Sequence, residues 1–334
     1  MSKRVDPQGS GEDRLIARHF RAIARHPGAL GLSDDAALLT PPPGCDLVLT
    51  TDGIIAGVHV FPDDPADAIA RRALRVNLSD LAAKGANPAG FLLAVALPAG
   101  TTDEWLAAFT RGLDADAEQY GCPLLGGDTD RTPGPFQVSI TAFGTLPTGT
   151  MVRRGGARPG DVLFVTGTVG DAALGLRLRK EPRAGASLTP TQRDHLLTRY
   201  LLPAPRNALA ETLRAHASAA LDVSDGLAGD LAKLCRASGV TTKVETARVP
   251  LSDAARAFVE ADPALLDHAL TGGDDYEILA AVPAAKVEGF RAAARAADVA
   301  VSEIGRLAAG DAPPQFVGPD RRPIAFGQPS YSHF

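Results

Sequence analysis

Apolar positions recur along this chain with two periods, and their alternation predicts a mixed α/β protein. Residues 12–25 set Leu15, Ile16, Phe20 and Ile23 on one helical stripe. Residues 30–39 read as a turn carrying Asp34-Asp35 that leads into a strand, stopped by Pro41-Pro42-Pro43-Gly44. The next run, Asp46-Leu47-Val48-Leu49, is a strand that finishes on Thr50-Thr51-Asp52-Gly53. A long helix is expected over residues 67–86, with Asn77, Asp80, Leu81 and Lys84 on one face because positions three and four apart are helix neighbours. A strand over 91–97, a helix over 103–120, a short strand opening into a Gly126-Gly127-Asp128 turn and a strand over 136–146 complete a first half.

A stretch rich in Gly, Arg and Pro at 148–160 marks a boundary, so the expected domains are 12–150 and 151–334. Beyond it a strand over 161–166 turns at Gly167-Thr168-Val169-Gly170 into a helix over 172–179. The polar residues 180–191 read as a mobile surface loop, and a helix runs from about residue 206 to 216. Residues 220–227 form a strand-to-helix corner with its helix at 230–238. A Gly272-Gly273-Asp274-Asp275 turn, a strand over 276–282, a helix over 286–297 and a strand over 301–307 follow. Gly-Gly-Asp at 126–128 and 272–274, with Ser-Asp at 79–80 and 224–225, is a faint internal echo that fits two related halves.

Bulk numbers narrow the class. A chain of 334 residues exceeds what one core usually holds, which agrees with two domains. Its 45% apolar and 22% charged residues are those of a soluble globular protein, and a net charge of −5 argues against a nucleic-acid partner. Cys45, Cys122 and Cys235 are isolated, which favours a reducing cytoplasm over a disulfide framework. Residues 1–11 form a polar lead-in without an apolar signal core, and the longest apolar run, 89–99, is too short and too interrupted to cross a bilayer.

Common phosphate-binding signatures are missing: there is no Gly-x-x-x-x-Gly-Lys-Ser/Thr, no dinucleotide fingerprint after a first strand and no protein-kinase motif set. Gly167-x-x-Gly170 could hold an anion on backbone amides or could serve tight helix–strand packing; both readings stand. More informative are six acidic positions at element ends: Asp34-Asp35, Asp52, Asp80, Asp128 with Asp130, Asp222 with Asp225, and Asp274-Asp275. Any one of them can be a cap, a turn former or, for Asp80, the partner of Lys84. Together with the hydroxyls of Thr50 and Thr51 they offer hard oxygen donors of the kind that hold Mg²⁺ against phosphates.

The motifs occur in a telling order: Ser33-Asp34-Asp35-Ala36-Ala37, Thr50-Thr51-Asp52, Asn77-Leu78-Ser79-Asp80-Leu81-Ala82-Ala83-Lys84-Gly85-Ala86, Gly126-Gly127-Asp128-Thr129, Asp222-Val223-Ser224-Asp225-Gly226-Leu227, and Gly272-Gly273-Asp274-Asp275-Tyr276-Glu277. With the closing Tyr331-Ser332-His333-Phe334, this series resembles the thiamine-monophosphate kinases, relatives of aminoimidazole ribonucleotide synthetase and selenophosphate synthetase. The resemblance implies a two-domain α/β (α+β) aminoimidazole ribonucleotide synthetase-like fold. Its N-terminal domain binds ATP and metal and forms a homodimer, and its C-terminal domain binds substrate. It also implies several Mg²⁺ ions, K⁺ as a candidate monovalent ion, and ATP as co-substrate. Metal ligands fall on Asp35, Thr50, Thr51, Asp52, Asp80, Asp128, Asp222 and Asp225, ATP contacts on Gly127, Asp128, Arg154 and Ser224, and substrate contacts on His59, Asp274 and Tyr331.

Three departures stand out. Ser33 replaces the usual glycine, Thr50 replaces serine, and Asp274 replaces a glutamate and is one methylene shorter. The implied reaction passes the γ-phosphoryl group of ATP in line to thiamine monophosphate. An acceptor phosphate with a second pKa of about 6 needs no general base, so no catalytic nucleophile or base is expected. Two alternatives remain at this stage: another ATP-using synthetase of the same superfamily, or a non-catalytic nucleotide- and metal-binding protein.

Overall fold

A computed structural model describes residues 11–328, Ser330 and Tyr331. The lead-in before residue 11 and the closing Ser332-His333-Phe334 lie outside the described residues. The chain divides into two compact units, one containing the chain to Leu81 with Asn87–Pro147, the other Ala82–Ala86 with the chain from Thr148.

In the first unit, α1 (Gly11–Leu15) continues as a π-helical turn, Ile16–Phe20, and goes no further as helix. The expected helix to residue 25 is therefore too long. The widened turn buries both His19 and Phe20, and Pro27 then forces His26 into extended backbone. Pro27–Leu32 is a 3₁₀ helix, and residues 33–44 carry no strand, contrary to expectation, since three prolines remove the donors a ladder needs.

The strand β1 (Cys45–Ile55) does not end at Thr50-Thr51-Asp52 but runs through it. After α2 (Ala66–Ala83), β2 (Asn87–Pro98) and α3 (Asp103–Tyr120), β3 (Leu124–Thr132) likewise carries Gly126-Gly127-Asp128 inside a strand and not in a turn. Both corrections have one cause. β1 pairs antiparallel with β4 (Gln137–Pro147) over its full length, and β3 pairs in parallel with β2, so neighbouring backbones outweigh local turn preference. The sheet order is β1-β4-β2-β3.

One face of that sheet packs on α2 and α3, burying Phe91, Phe109, Leu113, Ile140 and Ala142. α3 starts on a Thr102 cap and ends on left-handed Gly121. Its fully buried Asp116 accepts from Arg75 Nε at 2.5 Å and Nη2 at 2.9 Å, and from Arg71 Nε at 3.0 Å, locking α2 to α3.

The second unit runs β5 (Val162–Thr166), α4 (Asp171–Lys180), α5 (Pro190–Leu201), α6 (Ala210–His216), β6 (Ala219–Val223), α7 (Leu227–Ser238), β7 (Val240–Glu245), α8 (Asp253–Ala261), α9 (Leu265–Thr271), β8 (Glu277–Val282), α10 (Val287–Ala296), β9 (Val301–Ala309) and β10 (Gln315–Val317). Its sheet, β10-β7-β9-β5-β8-β6, is antiparallel except for the β10–β7 pair. Strands β5, β6 and β8 are buried at every position, which accounts for their mostly apolar sequences, interrupted by Thr166, Asp222 and Glu277. Alternate residues serve two cores, Leu163, Leu221 and Leu279 with α7 on one face, Phe164, Ala220 and Ile278 with α10 on the other. The expected mobile loop at 180–191 is instead a 3₁₀ turn, Pro182–Ser187, followed by the start of α5 under a Thr189–Gln192 capping box.

Candidate active site

On the first sheet the period of two separates residues adjacent in sequence. Thr50 and Asp52 face α2, where the Thr50 hydroxyl donates to Asp80 Oδ2 at 2.5 Å. Fully buried Asn77 braces this corner: its Oδ1 accepts the Asp52 amide at 2.9 Å and its Nδ2 donates to the Ala73 carbonyl at 3.0 Å. Asp80 is thus tied across to the strand. Lys84, its expected helical neighbour, donates to the Ala220 carbonyl within the second unit at 2.8 Å.

Thr51 points to the opposite face. Its hydroxyl donates to the Ile140 carbonyl at 3.1 Å and accepts from Thr141 at 3.2 Å. The register places Thr51 and Thr141 on the same side as Ser139, Ala94 and Asp128. There an open cavity of about 660 Å³ is lined by Asp34, Asp35, Gly127, Asp128, Ser139 and Thr141, with leucines and Phe143 supplying apolar wall. Asp128 and Asp34 each accept one backbone amide, from Thr129 at 2.9 Å and Asp35 at 2.8 Å, which fixes the local turn of each carboxylate. Gly127 has φ 154°, and a Cβ there would lie 1.8 Å from the Leu93 carbonyl oxygen, so only glycine allows this approach beside Asp128.

The structure therefore gathers Asp35, Gly127 and Asp128 around one cavity and sets Thr50, Asp52 and Asp80 on the other face. Among the described residues no three carboxylate, imidazole or thiolate side chains converge on one point as a ready ligand set. The donors are nonetheless all hard oxygens, half or fully exposed in Asp35, Asp52, Asp80 and Asp128. That suits Mg²⁺, which takes one or two protein carboxylates and completes its octahedron with phosphate and water. His59 sits in the turn after β1, its Nδ1 accepting the Ile55 amide at 3.1 Å.

In the second unit Asp222, Ser224 and Asp225 occupy the end of β6 and the corner into α7. Asp225 pairs with Lys233, which also donates to Asp230 at 2.8 Å, and the Asp225 amide donates to Asp230 Oδ2 at 2.9 Å. Burial lifts the Asp230 carboxyl above its ordinary value against the pull of Lys233. For Lys233 burial acts downward, and the two carboxylates outweigh it and hold its ammonium above the usual range. The segment 272–276 crosses this corner: the Asp274 amide donates to the Ser224 carbonyl at 2.8 Å and the Tyr276 amide to Val223 at 2.9 Å. The Tyr331 amide reaches the Asp225 carbonyl at 3.0 Å. Asp225, Ser224, Asp274 and Tyr331 are thereby brought together, while Arg154 lies exposed on the segment before β5.

Sequence reasoning missed the scaffold beneath them. Asp275 is fully buried at the start of α4, its Oδ2 accepting the Gly170 amide at 2.6 Å and its Oδ1 the Ala172 amide at 3.3 Å. Both readings of Gly167-x-x-Gly170 hold in part. The Gly170 amide does donate to an acidic group, but it is the chain's own Asp275, and a Cβ on Gly170 would meet Ala269 at 2.4 Å. Burial drives the Asp275 carboxyl well above the usual carboxylate range, more than the two amides hold it down. Glu277, also fully buried, accepts from Thr166, Arg199 and Arg206. The acids were visible beside Asp274; nothing local in sequence pointed to Arg199 or Arg206.

Residues 33–146 match the model of "AIR synthase related protein, N-terminal domain", and residues 158–313 match its C-terminal domain. A thiamine-monophosphate kinase of Caulobacter vibrioides is 45% identical over 300 residues, 89% of this chain and 84% of its own. Among solved structures, the thiamine-monophosphate kinase of Stenotrophomonas maltophilia K279a superposes with a TM-score of 0.81 at 40% identity, covering 91% of this chain and 94% of that one. AaThiL complexed with AMPPCP and TMP gives 0.76 at 28% identity, with 88% and 89% covered.

Proposed function

The chain belongs to the thiamine-monophosphate kinase family of AIR synthase related proteins, and from that premise we infer that it phosphorylates thiamine monophosphate with ATP, giving thiamine diphosphate and ADP. The observation that carries this reading is kinship along nearly the whole chain, with both halves of the fold present. It outweighs the two rivals, a different synthetase of the superfamily and a binding protein without turnover.

The phosphate of thiamine monophosphate is already an anionic nucleophile at neutral pH, so catalysis reduces to alignment and charge relief. Mg²⁺, when bound, would screen the repulsion between the two polyanions and stabilise charge as it moves to the leaving ADP. We assign its ligands to Asp35, Thr50, Thr51, Asp52, Asp80, Asp128, Asp222 and Asp225, a set of hard oxygens supported by the exposure of the first-unit carboxylates. K⁺ is a further proposed ion, on family resemblance alone. Gly127, Asp128, Arg154 and Ser224 are proposed to contact ATP. Gly127 can bring bare backbone close to a phosphate, and the Arg154 guanidinium supplies fixed positive charge. His59, Asp274 and Tyr331 are proposed to bind the acceptor. Asp274 suits the thiazolium cation and Tyr331 offers a ring face. The proposed roles are ATP and metal binding with homodimer formation for 12–150, and substrate binding for 151–334, in the cytoplasm. Among the described residues no helix is long and apolar enough to cross a membrane.

The test is direct: purified protein with Mg²⁺, ATP and thiamine monophosphate, followed by chromatography. Stoichiometric thiamine diphosphate and ADP are expected. Tight nucleotide binding without product, or ADP release only with another acceptor, would overturn the assignment.

A further inference from the structure

The segment between α9 and β8 has an unusual backbone. Asp274 and Tyr276 both occupy the left-handed region, at φ 75° and φ 52°, although neither is glycine. A side chain at such a φ is unfavourable unless its surroundings over-determine it. Here they do. The amides on either side of Asp275 are fixed to Ser224 and Val223 at 2.8 and 2.9 Å. The Asp275 carboxylate is held by α4, and its carbonyl accepts from Arg199 Nη2 at 3.2 Å. Arg199 is itself anchored on buried Glu277 at 3.0 Å.

Two left-handed residues flanking one buried side chain turn positions 274 and 276 to the same side. The outcome is a contact between them, with the Tyr276 hydroxyl donating to Asp274 Oδ1 at 3.3 Å, both side chains half-buried. A carboxylate on a short side chain, steered by a phenol and mounted on a pinned backbone, is preorganised to meet a cation without losing much freedom on binding.

We propose that Tyr276 is a specificity-determining positioning residue, whose hydroxyl aims the Asp274 carboxylate at the cationic ring of the acceptor substrate. The proposal rests on the assignment of Asp274 to substrate binding made above. It also gives a reason why aspartate works at position 274. The tyrosine fixes the direction of the carboxylate, which a longer side chain would reach by its own extension.

The experiment compares Tyr276→Phe and Asp274→Ala with the full-length protein. Steady-state kinetics are measured for each substrate separately, and thiamine monophosphate binding is followed by calorimetry without ATP. Tyr276→Phe keeps the ring and is expected to raise KM and Kd for thiamine monophosphate about fivefold, the loss of one ordinary hydrogen bond, as suits a contact of 3.3 Å. KM for ATP and the melting temperature are expected to stay unchanged. A purely structural role would lower kcat through a smaller active fraction and leave both KM values alone; that result overturns the proposal. If Asp274→Ala raises KM for thiamine monophosphate and Tyr276→Phe does not, the Asp274 assignment stands and the role of Tyr276 falls. If Asp274→Ala leaves that KM unchanged, the assignment itself fails and the proposal goes with it.

Discussion

Removing one charge from the Glu277 cluster provides the most demanding test of how the second unit is held together. Glu277 Oε2 accepts from Thr166 at 2.6 Å and Arg206 Nε at 2.7 Å, and Oε1 accepts from Arg206 Nη2 at 2.5 Å and Arg199 at 3.0 Å. Its side chain is 0% exposed, while those of Arg199 and Arg206 are 14% and 22% exposed. Glu277→Gln keeps the shape but replaces one acceptor oxygen by a donor facing guanidinium, leaving two largely buried cations without their anion. Breaking one partner of a buried pair costs about 3–5 kcal/mol. The residual solvent contact of both arginines places the expected loss near the lower end, about 3 kcal/mol. With a urea m-value on the order of 2–3 kcal/mol/M, the midpoint falls by about 1 M. Far-UV circular dichroism reads this transition, and Trp105, the single tryptophan, reports the first unit separately by fluorescence. Glu277→Gln/Arg206→Gln is expected to recover at least about 1 kcal/mol relative to the sum of the single changes. A midpoint within about 0.2 M of wild type, or strict additivity in the double variant, would refute the reasoning.

Three further outcomes are expected. Asp52→Ala and Asp128→Ala, both exposed, should abolish thiamine diphosphate formation while shifting stability by less than about 0.5 kcal/mol, checked by the product assay beside thermal melts. Gly127→Ala should disrupt the parallel β2–β3 pairing, since its Cβ meets a backbone carbonyl; a folded, active variant with unchanged melting temperature would contradict this. Asp275 has a carboxyl raised in the fold, so the folded state binds the extra proton. Its stabilising effect is complete below the unfolded value of about 3.9 and is lost as pH rises towards the folded value. Denaturation of wild type against Asp275→Asn should show wild type losing stability relative to the variant as pH is raised across that window; parallel curves would exclude it.

Much of the site was legible as chemistry but not as geometry. Asp35, Asp128, Asp225 and Asp274 were identifiable as oxygen donors among apolar runs, yet Asp128 was expected in a turn and Thr50-Thr51-Asp52 at a strand's end, and neither setting is the one observed. Those residues lie inside strands, because partners as distant as Phe143 and Val138 complete the ladder. The echo of Gly-Gly-Asp is equally uninformative about geometry: the first copy is in β3, the second in an irregular segment before β8.

What the sequence by itself determined is the kind of atoms offered and the elements with a strong period, such as α3, whose expected limits coincide with Asp103–Tyr120. It also determined family membership, since ordered motifs survive without reference to where they meet. Only the tertiary structure decided which oxygens share a face. Consecutive residues of a strand point oppositely, so Thr51 parts from Thr50 and Asp52 once β4 fixes the register of β1. Only the fold, too, could bring α5 and α4 under the 272–276 segment. Arg199 and Gly170 are 76 and 105 residues from Asp275, and no local pattern encodes a contact at that separation.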